Sequence, residues 1–298
     1  MKKNEINKRI NNIDTITGLL IIWMIVVHIS ILFPHFFKAP KCIVYILSFF
    51  MSWFFFKSGM LFKSKSTIEV IKSNVKSLLV PFIKYSVIGY ILIWLMYFTK
   101  GIINKELTIT IDNYKASLTT DYWQLIYNGA LSYNAPLWFL LSLFLTKVIY
   151  IYLYNKKINN YSIISCALLC SSIIYLYKLN IPLYFGNTML GLFFYVCGIV
   201  YNKQKNNIDK EYIYAILFIV YICIFVCYPS CVDFRINMPT KGNYFLWIIY
   251  SLIACILYLK IFNKITFNIL SFIGRNSIYF YVWHWIILIY IKYISQTQ

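Results

Sequence analysis

Nine stretches of this chain are each apolar over about the 20 residues that carry a helix across a bilayer, and nothing else in it constrains the fold as strongly. They fall near 16–33, 43–62, 78–98, 136–154, 160–178, 184–201, 212–229, 244–261 and 277–294. In a lipid core every backbone N–H and C=O must be bonded internally, which favours helices for such runs. No polar stretch between them is long enough to fold separately. The sequence therefore predicts an all-α integral membrane protein: one polytopic helical bundle of about nine transmembrane helices, with 1–298 a single domain. Only 12% of residues are charged, against about 25% in a soluble domain.

The net charge of +19 would suit a nucleic-acid partner, but the charges lie in short loops between apolar runs, so no nucleic acid is expected. More than half of the 28 Lys and Arg fall on the side of the amino terminus, which predicts a cytoplasmic amino terminus and an external carboxyl terminus. The first span has no small-residue cleavage site after it and reads as a retained signal-anchor. Most of the eight cysteines sit inside apolar segments, where Cys acts as a small hydrophobe. Cys223, Cys227 and Cys231 repeat at helical spacing, yet no histidine or acid joins them, so no metal site is expected.

Chemistry concentrates in Arg9–Ser30, RINNIDTITGLLIIWMIVVHIS. At about 100° per residue, Asp14, Gly18, Ile21, Ile25 and His28 share one helical face, with Thr17 beside it. Asp14 and His28 lie roughly 21 Å apart along such a helix. An ionisable side chain at the depth of His28 is costly and suggests function; the structural alternative is a histidine hydrogen-bonded inside the bundle. The last span repeats the pattern, with Ser277, Tyr281 and His284 on one face and Gly274 and Asn276 at its start. The segment from Lys63 to Lys76 is strongly basic and reads either as topology and anionic-lipid contact or as a seat for a phosphate-bearing ligand. Lys147, about ten residues into its span, reads as a snorkelling structural lysine. The long connection before the fourth span carries Asp112 and Asp121 and reads as a cover over a site.

In order along the chain, Asp14, Gly18 and His28, then FFFKSG (Phe54 to Gly59), the basic run into Pro81 and Phe82, LWFL (Leu137 to Leu140) and GRNSIYFYVWH (Gly274 to His284) resemble the membrane-bound acyltransferase-3 family, the O-acyltransferases of bacterial surface polysaccharides. That resemblance covers nearly the whole chain. It implies transfer of an acyl group, most often acetyl, from cytoplasmic acyl-CoA to a hydroxyl of a polysaccharide or lipid-linked glycan. It further implies a multi-pass protein of the bacterial cytoplasmic membrane, surrounded by membrane lipid. Acetyl-CoA or another acyl-CoA would be a co-substrate, with no permanently bound cofactor.

Carried onto this sequence, the resemblance makes His28 the general base and His284 its catalytic companion at the acceptor or the developing charge. Asp14, Thr17, Gly18, Ser58, Gly59, Lys72 and Lys76 would hold the donor. Trp138, Asn276, Ser277 and Tyr281 would hold the acceptor. Two positions depart from the family pattern. Thr17 stands where the family commonly has Arg or Lys, which passes the donor's phosphates to Lys72, Lys76 or Lys57, and no tenth span follows the one bearing His284. The rival readings are a glycan exporter and an inactive short member with an assembly role.

Overall fold

The computed structural model describes residues 2–64, 66–103, 120–263 and 265–295. It is a helical bundle with one small hairpin. In order come α1 (Lys2–Leu32), α2 (Lys41–Ile46), α3 (Phe50–Met60), α4 (Thr67–Asn74), a π-turn (Val75–Leu79) and α5 (Val80–Ile103). Then follow α6 (120–128), a 3-10 turn (Ser132–Leu137), α7 (Trp138–Asn155), α8 (Asn160–Leu176), α9 (Phe185–Ile208) and α10 (Glu211–Cys227). Strands β1 (Cys231–Asp233) and β2 (Met238–Lys241) precede α11 (Tyr244–Ile261), α12 (Asn268–Arg275) and α13 (Ser277–Ser295). Six helical stretches among the described residues are long and apolar enough to cross a membrane, while α8 and α10 are apolar but shorter.

Two close helix contacts position the site. A Cβ on Gly18 would collide with the Leu270 carbonyl of α12, and one on Gly274 of α12 would collide with the Asp14 carbonyl of α1. Glycines on both helices thus let α1 and α12 touch backbone to backbone, as small residues do between helices in lipid. The same reciprocity joins α3 to α9, where Gly59 meets the Tyr195 carbonyl and Gly198 meets the Phe56 carbonyl. Because α12 leads directly into α13, the first contact also brings α13 alongside α1.

Three features depart from the expected spans. The second is broken at Leu47–Phe49 between α2 and α3. There the Ile46 carbonyl accepts the Tyr250 hydroxyl at 3.1 Å, and the Trp247 indole donates to Ser48 Oγ at 3.2 Å. Neighbouring helices thereby satisfy irregular backbone that lipid could not. The basic segment after α3 contains helix α4, capped by Ser66, whose hydroxyl accepts from the Glu69 amide. Its π-turn precedes Pro81, which has no amide proton to continue the regular ladder.

The third departure is the hairpin, since the apolar pattern gave no sign of strands. Cys231 lies on β1, so it does not extend the helical repeat of Cys223 and Cys227. The hairpin turns through Asn237 with φ of 56°, a conformation Asn tolerates. The Asn237 amide donates to the Ser171 carbonyl at 3.0 Å, and its oxygen accepts the Tyr244 hydroxyl at 2.6 Å. Next to it, Phe234 points into the bundle, 3% exposed, and stacks on Phe55 with ring centroids 5.2 Å apart.

Candidate active site

His28 and His284 meet. His28 Nδ1 lies 2.8 Å from His284 Nε2, and the ring planes differ by 9° with centroids 4.9 Å apart. The centroid separation exceeds the N···N distance by roughly two ring radii, so the rings meet edge to edge in one plane rather than face to face. His284 Nδ1 lies 2.6 Å from the Tyr281 carbonyl.

A carbonyl only accepts, so His284 Nδ1 carries the proton. In a neutral imidazole its Nε2 is then an acceptor. His28 Nδ1 must donate to it, which leaves the lone pair of His28 on Nε2. One backbone carbonyl thus fixes the tautomers of two rings in succession. Nε2 of His28 has no hydrogen-bond partner among the described residues, and the His28 side chain borders an open cavity.

That cavity, of about 390 Å³, lies beside the carboxyl-terminal half of α1. Its wall includes Trp138, Trp285, Tyr281 and the hairpin residues Asp233 and Arg235. Trp285 presents its ring to His28 at 5.1 Å with planes 76° apart, and its indole N–H is buried without a hydrogen-bond partner among the described residues. Arg235 is tethered by its own turn: its amide donates to Asp233 Oδ1 at 2.9 Å, and its guanidinium lies 3.5 Å from Asp233 Oδ2. The Asn187 side chain holds the Arg235 carbonyl at 2.9 Å. The arrangement combines a base, aromatic faces and a charged pair, which suits a polyhydroxylated molecule.

A second cavity, of about 330 Å³, lies beside the middle of α1, at Thr17 and Ile21. Thr17, Lys57, Ser58, Lys147, Ser277 and Tyr281 are among its lining, the rest being largely aliphatic and aromatic. Tyr281 lines both cavities, which therefore follow one another along α1. Lys57 Nζ donates to Thr17 Oγ1 at 2.8 Å and pairs with Asp14 Oδ1 at 3.6 Å. Thr17 Oγ1 also accepts from the Trp53 indole at 3.2 Å and donates to the Ile13 carbonyl at 2.7 Å. Lys147 is half-buried, and its Nζ reaches Asn74 Oδ1 at 3.5 Å. A lysine in the apolar zone of a membrane helix costs roughly 2.5–3.5 kcal/mol, so two of them on one cavity call for an explanation.

The sequence-derived residues divide. His28, Trp138 and Tyr281 line the histidine cavity. His284 does not: it is buried behind His28 and reaches the cavity only through that ring. Thr17, Ser58 and Ser277 line the lysine cavity, so Ser277 shares a cavity with Tyr281 but not with Trp138. Asp14 reaches that cavity only through Lys57.

Gly18 and Gly59 line neither cavity and sit at close helix contacts, where the carbonyls of Leu270 and Tyr195 occupy the space a Cβ would take. Asn276 ends α12, its amide donating to the Phe272 carbonyl at 2.9 Å. Lys72 and Lys76 are exposed on α4 and the π-turn and line neither cavity; the lysines that line one are Lys57 and Lys147. Asp121 is buried at the start of α6, and Asp112 lies outside the described residues. Sequence reasoning missed Arg235 and Trp285 and set Lys147 aside; for Lys147, the signal was a cation deep within an apolar run.

The family model described as an acyltransferase domain matches residues 10–298. No curated protein and no solved structure matches the chain.

Proposed function

Matched over all but its first nine residues, the chain belongs to the membrane acyltransferase-3 family, and from that premise we propose that it is an O-acyltransferase with His28 as general base. What supports this reading is that His28 lines the histidine cavity, with its Nδ1 held by the Tyr281 carbonyl through His284 and its Nε2 without a hydrogen-bond partner among the described residues. An acceptor hydroxyl there gives its proton to Nε2 as its oxygen attacks the thioester carbonyl of an acyl-CoA. The tetrahedral intermediate collapses, the carbon–sulfur bond breaks, and the departing thiolate takes the proton back from Nε2. While His28 is an imidazolium, its Nδ1 proton remains bonded to His284 Nε2, which shares the charge.

The two cavities suit two substrates. Acyl-CoA, most simply acetyl-CoA, enters the lysine cavity from the cytoplasm, and a hydroxyl of an exported or lipid-linked glycan enters the histidine cavity from outside. The amino terminus is then cytoplasmic, the hairpin external and the host membrane the bacterial cytoplasmic one. Thr17 and His28 are separated by roughly 16 Å along α1, a distance suited to a flexible thioester arm.

The test is release of free thiol from acetyl-CoA by purified protein, with mass spectrometry of the glycan made with and without it. Acyl groups that appear only with the protein support the reading. Glycan that crosses the membrane unacylated, with no thiol released, overturns it in favour of an exporter.

A further inference from the structure

We propose that Lys57 and Lys147 form a two-pronged clamp for a phosphate or diphosphate group in the lysine cavity, and that Thr17 is a positioning residue for Lys57 rather than a ligand contact. As far as the anion belongs to acyl-CoA, the proposal rests on the donor reading above.

The donor count leads to it. An ammonium group has three N–H donors. Lys57 directs one at Thr17 Oγ1 and one toward Asp14, which leaves one for the cavity it lines. Lys147 spends one on Asn74 Oδ1 across 3.5 Å and has no carboxylate within ion-pair distance among the described residues. Two of its donors are open, and its charge is uncompensated. Lys57 stands on α3 and Lys147 on α7, so the two charges approach one cavity from different helices. Mobile lysine ammoniums bind phosphate as point charges, and a second anion in the cavity would neutralise what Asp14 does not.

Thr17 cannot share this work. Its hydroxyl donates to the Ile13 carbonyl and accepts from both Trp53 and Lys57, so no proton is left for a phosphate oxygen. What it does is hold the Lys57 ammonium against α1. The Lys57 ammonium of α3 thereby stands beside position 17 of α1. Apart from the hydroxyls of Ser58, Ser277 and Tyr281, the remaining wall, with Ile21, Phe54 and Leu140, is aliphatic and aromatic and accepts a flexible chain rather than a second charge.

The ligand chemistry is an anionic phosphoryl group on a slender chain, from a water-soluble thioester nucleotide or from a lipid phosphate. Binding of inorganic diphosphate and of CoA is measured by calorimetry on the full chain in neutral-lipid nanodiscs, and repeated with phosphatidic acid in the disc. The variants are Lys147→Gln, Lys147→Arg, the charge-balanced pair Lys57→Met with Asp14→Asn, and Lys72→Ala with Lys76→Ala. The clamp predicts at least tenfold weaker diphosphate binding for Lys147→Gln and for the balanced pair. It predicts changes under threefold for Lys147→Arg and for the exposed-lysine pair, and a shallower salt dependence where a clamp charge is removed.

Wild-type protein that binds neither probe overturns the clamp, as does unchanged diphosphate binding in both neutral variants. CoA binding that survives both of them keeps the donor reading and removes the clamp. Diphosphate binding without CoA binding keeps the clamp and removes the donor reading, and competition by phosphatidic acid then assigns it to lipid. If Lys147→Gln does not fold, the balanced pair decides the outcome.

Discussion

His284 holds His28 from 256 positions away, with Nε2 of the one 2.8 Å from Nδ1 of the other. The order of the three groups follows from that single contact. His28 faces the cavity, His284 faces His28, and the backbone of Tyr281 stands behind both.

Replacing His28 with alanine is expected to lower acyl transfer by about a hundredfold or more while membrane abundance is retained, since the base is lost and packing is little changed. Specific activity of folded protein, measured as thiol release, is the check. Full turnover per folded molecule would remove His28 from the mechanism.

His284 should be nearly as sensitive in rate, and the type of replacement should matter. His284→Ala leaves the Nδ1 proton of His28 without its acceptor, and kcat falls with KM for both substrates little changed. His284→Gln can offer a carbonyl oxygen near the former Nε2 and is expected to recover part of the rate. Equal losses in the two variants, tracking thermal stability, would mean that residue 284 only packs.

Gly18→Ala tests packing against ligand binding. The added methyl meets the Leu270 carbonyl, a backbone atom that cannot swing away. Overpacking of this kind costs about 1–3 kcal/mol. A lower melting temperature with normal donor KM in the surviving protein is the expected result; a raised KM with normal stability would return Gly18 to the donor site.

Phe234 fastens the hairpin. Truncation of a buried phenylalanine costs about 3–5 kcal/mol when the site cannot collapse, and here the loss falls on the wall of the histidine cavity. Phe234→Ala should therefore raise the acceptor KM more than the donor KM. A melting curve and paired kinetics distinguish this from general unfolding.

The proposed orientation is checked with reporters. An enzyme that is active only outside the cell, fused after Gln298, should give signal, and the same enzyme fused within the Lys63–Lys76 segment should not. The opposite pattern would reverse the assignment of the two cavities to their sides.

Much of this arrangement was visible in the chain, and what was hidden has physical reasons. A histidine or aspartate in an unbroken apolar run stands out by helical period alone, so His28, His284 and Asp14 could be picked before any coordinates. Their partners could not. The His28–His284 bond depends on how α12 docks on α1, which Gly18 and Gly274 decide by lacking a side chain. Lysines inside a span read equally as snorkelling or as ligands until a cavity is seen, and the sequence does not show that Lys147 lines one. Lys72 and Lys76 follow the same charge pattern that sets topology, and sequence alone does not separate the two uses. The break at Leu47–Phe49 was masked by continuous hydrophobicity, because the hydroxyl that supports it comes from Tyr250 on α11.

Tyr281 borders both cavities, and this has an electrical consequence. A protein that admits water-borne substrates from two faces of a membrane must remain an insulator while it does so. If the cavities are approached from opposite faces, the Tyr281 ring is part of the partition between them, and a smaller residue there thins the seal. Tyr281→Gly in proteoliposomes holding a proton gradient is then expected to discharge it faster than wild type. Equal discharge rates would place the barrier elsewhere.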